Sequence, residues 1–191
     1  KAINNAVYDT SNWHAENDPM YVLKGMVNPV RVNYFIKTIE LLNVKPAEMK
    51  ALEVGCGGGV LTEEIAKIGF NTSGIDISEG SIQQAQQHAL ENNLSINYSI
   101  ASAMQLPFED NSFDVVFCCD VLEHVPNWRI AIEEIKRVIK PGGIFFYDTI
   151  NRTFISKLSI IKVSQDWKYF SFMKDNLHVW EMFIKPKELK E

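Results

Sequence analysis

The sequence predicts an α/β fold, a doubly wound parallel sheet with helices on both faces. Two observations predict it. Short runs rich in Val, Ile and Phe alternate with helix-length amphipathic segments, as successive βαβ units require. A glycine cluster, Gly55-Cys56-Gly57-Gly58-Gly59, joins the first such run to the first such segment. That junction is where an open α/β sheet binds its ligands.

The elements follow in order. Residues up to Asn28 are polar and aromatic, with Trp13, His14 and Asn17-Asp18-Pro19 as turn or cap signals. From Asn28-Pro29 to Leu42 the residues Val30, Tyr34, Phe35, Ile36, Ile39 and Leu42 recur at helical spacing. Asn28 is the expected N-cap and Pro29 the first helical residue. After Lys45-Pro46, Ala51 to Val54 is the first strand, and Val60 to Ile68 is a helix stopped by Gly69. Phe70 to Ile77 is the second strand and Ser81 to Asn92 the next helix. Ile96 to Ala101 and Phe113 to Cys118 are the third and fourth strands. Asn127 to Lys140 is a further crossover helix, closed by Pro141-Gly142-Gly143, and Ile144 to Asp148 is the fifth strand.

With 191 residues, 46% apolar and 23% charged, the chain has the balance of one globular domain with at most a modest appendage. A net charge of −5 argues against a broad nucleic-acid-binding surface. No run approaches the ~18 apolar residues of a membrane span, and no signal-peptide h-region is visible. Three cysteines, two of them adjacent, make no disulfide framework, so a reducing, cytoplasmic setting is expected. The charge is uneven: residues 1–150 carry 11 basic and 19 acidic side chains, residues 151–191 carry 8 and 5.

A dinucleotide site wants G-x-G-x-x-G with a pyrophosphate at the helix start. Here the spacing is G-x-G-x-G, and Glu53 stands two residues before it. An acid there repels a pyrophosphate and suits a cationic amino-acid ligand. Asp76, ending the second strand, can accept both hydroxyls of a ribose. The plainer alternatives are a structural turn for the glycines and a solvated helix-start acid for Asp76.

These residues resemble class I S-adenosylmethionine-dependent methyltransferases. Leu52 to Gly59 is similar to their first motif and Gly74-Ile75-Asp76 to their ribose-binding acid. Leu106-Pro107-Phe108, Phe113-Asp114-Val115-Val116 and Lys140-Pro141-Gly142-Gly143 resemble later landmarks in the same order. The resemblance implies S-adenosylmethionine as cofactor, held by Glu53, Gly55, Cys56, Gly57, Gly59, Asp76 and Ile77. Arg31 resembles the arginine that reaches the cofactor; otherwise it is a surface helix residue. The acid that commonly touches the adenine amino group is replaced by Ser102, so that contact falls to Ser102 or to backbone near Ala103. Cys119 ends the fourth strand beside the cofactor, where packing rather than reactivity is its expected role. The family's sheet has seven strands, the last two an antiparallel hairpin. No such hairpin is visible by Glu191, and the natural chain is expected to continue.

A finer resemblance lies outside the cofactor half. Asn28-Pro29-Val30-Arg31, Asp120 to Pro126, Thr149-Ile150-Asn151-Arg152 and Phe183 to Leu189 look like the ubiquinone-biosynthesis O-methyltransferase family, which methylates catechol-like polyprenylated quinone precursors. The chemistry agrees. A phenol, with a pKa of ~10, needs a base or a Lewis acid to become a good nucleophile near neutrality. Asp120, Glu123 and His124 follow the fourth strand, and residues three and four apart share a helical face. Two carboxylates and an imidazole can hold a divalent metal. The resemblance associates such residues with a magnesium-type ion, with Asp120 in place of a glutamate. Alternatively Glu123 and His124 cap a helix or act as a general-base pair without metal. His178 matches a family histidine in a segment that closes the site or is structural, whereas His14 and His88 have weaker claims.

The basic end is aromatic. Phe154, Ile155, Leu158, Ile160, Ile161 and Val163 precede Trp167, Tyr169, Phe170, Phe172, Trp180 and Phe183, interleaved with lysines. Such a segment can lie on a bilayer, form a lid over the site, pack on a dimer mate, or join the core. The expected organisation is an N-terminal helical cap (1–45), a cofactor-binding core (46–150) and a lid or membrane-contacting insertion (151–183, within 151–191). The expected function is O-methylation of a small aromatic, quinone-like hydroxyl. Competing readings are a methyltransferase for an unrelated metabolite, a non-catalytic cofactor-binding module and a nicotinamide oxidoreductase.

Overall fold

A computed structural model describes residues 3, 5–167 and 177–189. Five strands, β1 (Lys50–Val54), β2 (Asn71–Asp76), β3 (Ile96–Ile100), β4 (Phe113–Cys119) and β5 (Ile139–Asp148), form one sheet in the order β3-β2-β1-β4-β5. Every pairing is parallel. The helices are α1 (Val7–Thr10), α2 (Asn28–Leu41), α3 (Val60–Ile68), α4 (Glu79–Glu91), α5 (Trp128–Val138) and α6 (Phe154–Ser156).

Both faces of the central strands are covered, which is why β1 and β4 read as near-continuous apolar runs instead of alternating ones. Successive side chains of a strand point to opposite faces. On β4, Val115 and Phe117 face Phe35 and Ile39 of α2 and Leu61 and Ile65 of α3. Val116 and Cys118 face the other way, onto Ala131, Ile135 and Val138 of α5. Phe117, fully buried, meets Phe35 edge-on at 4.9 Å and stacks on Phe146 at 5.1 Å.

The structure departs from the expected elements at three places. Asn28 does not cap α2: a π-type turn, Leu23–Val27, runs directly into the helix, so there is no free helix start for its side chain to satisfy. Its side-chain oxygen instead accepts from the Arg31 guanidinium at 3.3 Å. Helix α5 stops at Val138, and Ile139 already pairs with Phe113. Pro141-Gly142-Gly143 is therefore an irregularity inside β5, before Val115 aligns with Ile144, with Gly142 in a left-handed conformation. The four-residue α1 was not foreseen, being too short to show a period.

Beyond β5, a capping box of Thr153 and Ser156 starts α6, which continues into a π-type helix over Lys157–Asp166. The segment from Leu177 returns to the body: Leu177, Val179, Phe183 and Ile184 are buried, and Ile184 bridges to Asn151 in parallel. Among the described residues no helix is long and apolar enough to cross a membrane.

Candidate active site

Strand order reverses between β1 and β4, so the connections leaving their carboxyl ends diverge and open a crevice there. Gly55, Gly57 and Gly59 all have positive φ (75°, 50° and 81°), a region that costs a side-chain-bearing residue and not glycine. The loop is tied to β2: the amides of Gly55 and Cys56 both donate to the Ile75 carbonyl, at 2.8 and 2.9 Å. Cys56 is buried beneath it, and burial pushes its thiol well up, so it is a packing residue there.

Asp76 braces the loop from the end of β2. One carboxylate oxygen accepts from the Gly57 amide at 2.8 Å and the other from the Ser78 amide at 2.9 Å. Each oxygen keeps a further acceptor direction, which fits a pair of ribose hydroxyls. Ile77, the next residue, is 68% exposed, an apolar side chain beside that carboxylate. Ser102 accepts from the Met104 amide at 3.2 Å and so holds its turn, and Ala103 packs against the core. Glu53 is buried, with the Thr62 hydroxyl donating to it. Burial pushes its carboxyl up to about 8.

At the end of β4 Cys119 is buried, its thiol raised by burial. Asp120 follows with φ +55°. Arg31, reaching over from α2, lies between two carboxylates: it is 2.5 Å from Asp120 and 2.6 and 2.8 Å from the two oxygens of Asp148. The Asp120 amide donates to Asp148 as well, at 3.0 Å. This clamp fixes the ends of β4 and β5 relative to α2. Arg31→Ala leaves two facing acids without their cation. The Arg31 side chain is 12% exposed and the acids about 40%, so the full cost of breaking a buried pair is discounted to about 2 kcal/mol. A drop in Tm of roughly 4–8 °C is expected, partly relieved by adding Asp148→Asn, and calorimetry of the single and double variants checks it.

Glu123 and His124 lie on the 3-10 turn Leu122–His124, both buried. The Thr149 hydroxyl donates to Glu123 Oε2 at 2.8 Å, while Oε1 is buried without a protein partner. Burial, reinforced by Asp120, pushes the carboxyl up to about 7. His124 is driven the other way, down to about 3, by burial and by His178, whose ring lies 5.0 Å away. The expected metal ligands are not gathered. Asp120 is engaged by Arg31, the Tyr8 hydroxyl lies 3.4 Å from His124 Nε2, and among the described residues Asp120, Glu123 and His124 do not bring ligand atoms together as a cation site.

Sequence reasoning missed what closes the crevice. Tyr8 of α1 is a half-buried phenol whose pKa is raised by the burial of its hydroxyl and then by Glu123, Asp120 and Asp76. Trp13 covers the glycine loop: a Cβ built on Gly57 or Gly58 would fall 2.4 or 2.2 Å from the indole. Its Nε1 donates to Ser81 Oγ at 2.9 Å and the Ser81 hydroxyl donates to the Tyr8 carbonyl, so α4 holds the segment down. A ligand approaching the backbone of Gly57 and Gly58 from this side displaces the indole. Asp148 was read only as a strand end and Thr149 only as part of a family match, because only the fold brings them to Arg31 and Glu123. An open groove lined by Lys50, Asn71, Asn97 and Phe113 lies at the opposite, amino end of the strands, away from these groups.

What the strand order and the loop spacing define together is a class, the Rossmann-like S-adenosylmethionine-dependent methyltransferases. The methyltransferase-domain family matches residues 52–147. A solved S-adenosylmethionine-dependent methyltransferase from Clostridium acetobutylicum shares the fold, with a TM-score of 0.62 at 21% identity over 74% of this chain and 58% of that one. A ubiquinone biosynthesis O-methyltransferase from Colwellia psychrerythraea is 36% identical over 85% of this chain and 68% of its own length. Its namesake from Pasteurella multocida is 35% identical over 93% and 74%. The chain belongs to the methyltransferase-domain family and, within it, to the ubiquinone biosynthesis O-methyltransferases.

Proposed function

We propose that this chain transfers the methyl group of S-adenosylmethionine to a hydroxyl of a catechol-like aromatic, a polyprenylated quinone precursor. The observation that carries the chemistry is the buried Glu123 carboxylate, with one oxygen fixed by Thr149 and the other without a protein partner. The names of the relatives support the substrate class.

The residues present fit the cofactor. Asp76 has acceptor directions to spare, Ile77 is exposed beside it, and the backbone of Gly57 and Gly58 becomes available to a ligand once the Trp13 indole that covers it is displaced. Bound S-adenosylmethionine supplies an electrophilic methyl carbon on a sulfonium sulfur. The methyl group would pass to the acceptor oxygen with loss of the C–S bond, and Glu123 Oε1 would take the proton that this oxygen gives up. A carboxyl raised to about 7 is a better match for a phenol of pKa ~10 than an ordinary glutamate. His124, neutral above a pKa of about 3, is too weak a base for that step and serves instead as a wall and a hydrogen-bond partner. Asp120, Glu123 and His124 as placed do not fit a divalent ion, so no step runs through one.

Peripheral membrane contact belongs to the same reading. Phe154, Ile155 and Leu158 are exposed beside Lys157 and Lys162, a composition that suits the bilayer interface where a polyprenylated substrate resides. Tyr169, Phe170 and Phe172 lie outside the described residues. Sedimentation with anionic phospholipid vesicles is expected to carry down the wild type. The pair Phe154→Ser and Ile155→Ser is expected to lower the bound fraction several-fold, and unchanged binding would count against contact through this face.

The transfer is tested with labelled S-adenosylmethionine and a polyprenyl catechol. Product carrying the label on oxygen is expected. Cofactor binding without transfer to any catechol would leave only a binding module.

A further inference from the structure

Behind the glycine loop, three side chains from three elements meet in an arrangement that methyl transfer does not use. His14 comes from the N-terminal segment, Glu63 from the first turn of α3 and His88 from the last turn of α4. Each offers a metal-ligating atom, and these atoms lie within 4.8 Å of one another; among the described residues no other such group exists. The two imidazoles stack, centroids 3.5 Å apart and planes 12° from parallel, so their in-plane lone pairs do not converge as placed, and His88 has to turn out of the stack to share an ion with His14. Glu63, only 3% exposed, places a carboxylate oxygen 2.5 Å from His88 Nδ1.

The orientation of His14 is informative. Its Nε2 lies 2.8 Å from the Gly58 carbonyl, which can only accept, so Nε2 carries the proton and the neutral ring presents a lone pair at Nδ1. That Nδ1 is buried and has no partner. Histidines that bind metals characteristically donate their other ring N–H to a carbonyl or carboxylate in this way, which fixes the tautomer and the ring plane.

We propose that His14, Glu63 and His88 bind a divalent transition ion of the zinc type. Two imidazoles and one carboxylate suit zinc, cobalt or nickel, whereas magnesium and calcium prefer sets of oxygen ligands. The ion joins the N-terminal segment to α3 and α4. Because Trp13 precedes His14 and covers Gly57 and Gly58, a bound ion also fastens the indole over the loop.

Equilibrium dialysis of the intact chain against Zn2+ tests this without any assay of activity. One ion per chain is expected, with affinity lowered at least about 10-fold in His14→Ala and in His88→Ala, the lower end of what losing even an outer-shell partner does. Both histidines are partly exposed, so these variants keep the fold, and Glu63→Gln reports on the carboxylate. Cobalt bound here gives a spectrum without a thiolate charge-transfer band, since Cys56, Cys118 and Cys119 are not ligands. Zn2+ is expected to slow chymotryptic cleavage beside Trp13 in the wild type and not in His14→Ala. Absence of saturable binding, unchanged affinity in both histidine variants, or a thiolate band would each overturn the proposal.

Discussion

Glu123→Gln is expected to lower the rate of methyl transfer about 10²–10⁴-fold, the range that general-base catalysis supplies. The amide keeps the shape of the side chain and can still accept from the Thr149 hydroxyl, so the loss reports on proton acceptance and not on packing. Affinity for S-adenosylmethionine, read by calorimetry, is expected to stay within a few-fold of the wild type, because Glu123 is held by Thr149 whereas Asp76 is held by the amides of Gly57 and Ser78. The pH profile makes the assignment sharper. A general base works when deprotonated, and burial raises this carboxyl to about 7, so the rate rises with pH and levels off once that value is passed. In the glutamine variant the residual rate loses that rise. Full activity, or an unchanged profile, removes Glu123 from the chemistry.

Above about pH 6.5 stability is expected to move the opposite way with pH, and Glu53 is the main reason. Its carboxyl is pushed by burial from 4.5 up to about 8. The folded chain therefore holds a proton that the unfolded chain releases. Glu53 is fully accommodated below about 4.5, and its contribution is lost progressively as pH rises towards 8. At roughly 1.4 kcal/mol per unit, burial of this group costs of order 3 kcal/mol by pH 7. Glu123 adds the same slope over a shorter window that ends near 7. His124 and His178, kept neutral by burial with values pushed down to about 3 and about 4, oppose this up to about pH 6.5. The net decline therefore lies above that pH, and in Glu53→Gln most of it is expected to vanish. The variant then gains on the wild type as pH rises. Urea unfolding of both proteins at pH 5, 6.5 and 8 measures it, and parallel curves would show that Glu53 ionises in the fold as freely as in water.

The parallel core was legible because each of its signals is local. Helix α3 has the bounds read from its apolar spacing and Gly69, and within the loop the glycines with positive φ are the three that the G-x-G-x-G spacing names. Asp76 was legible for the same reason, standing at the end of a run with strand composition. What closes the site was not. Tyr8 reaches His124 across 116 residues and Arg31 reaches Asp148 across 117, and contacts at such separations leave no period in the sequence. Nor did spacing reveal that Arg31 holds Asp120: three residues on a turn share a face, but a guanidinium from another element decides where one of them points. The start of β5 was misplaced for a related reason. Pro141-Gly142-Gly143 has the composition of a turn, and pairing with β4 makes it a bulge.

The strand order also sets a timetable for synthesis. β1 finds β2 as its partner about twenty residues downstream, Ala51 beside Thr72, but its other neighbour, Val115 of β4, is made much later. At roughly 5–20 residues per second, the second edge of β1 waits roughly 3–13 s on the ribosome. During that interval the half carrying the glycine loop and Asp76 exposes an unpaired and strongly apolar strand, Ala51-Leu52-Glu53-Val54, to the surrounding solution. The nascent chain is thus most open to misassociation after its cofactor-binding half is complete and before Glu123 has been added.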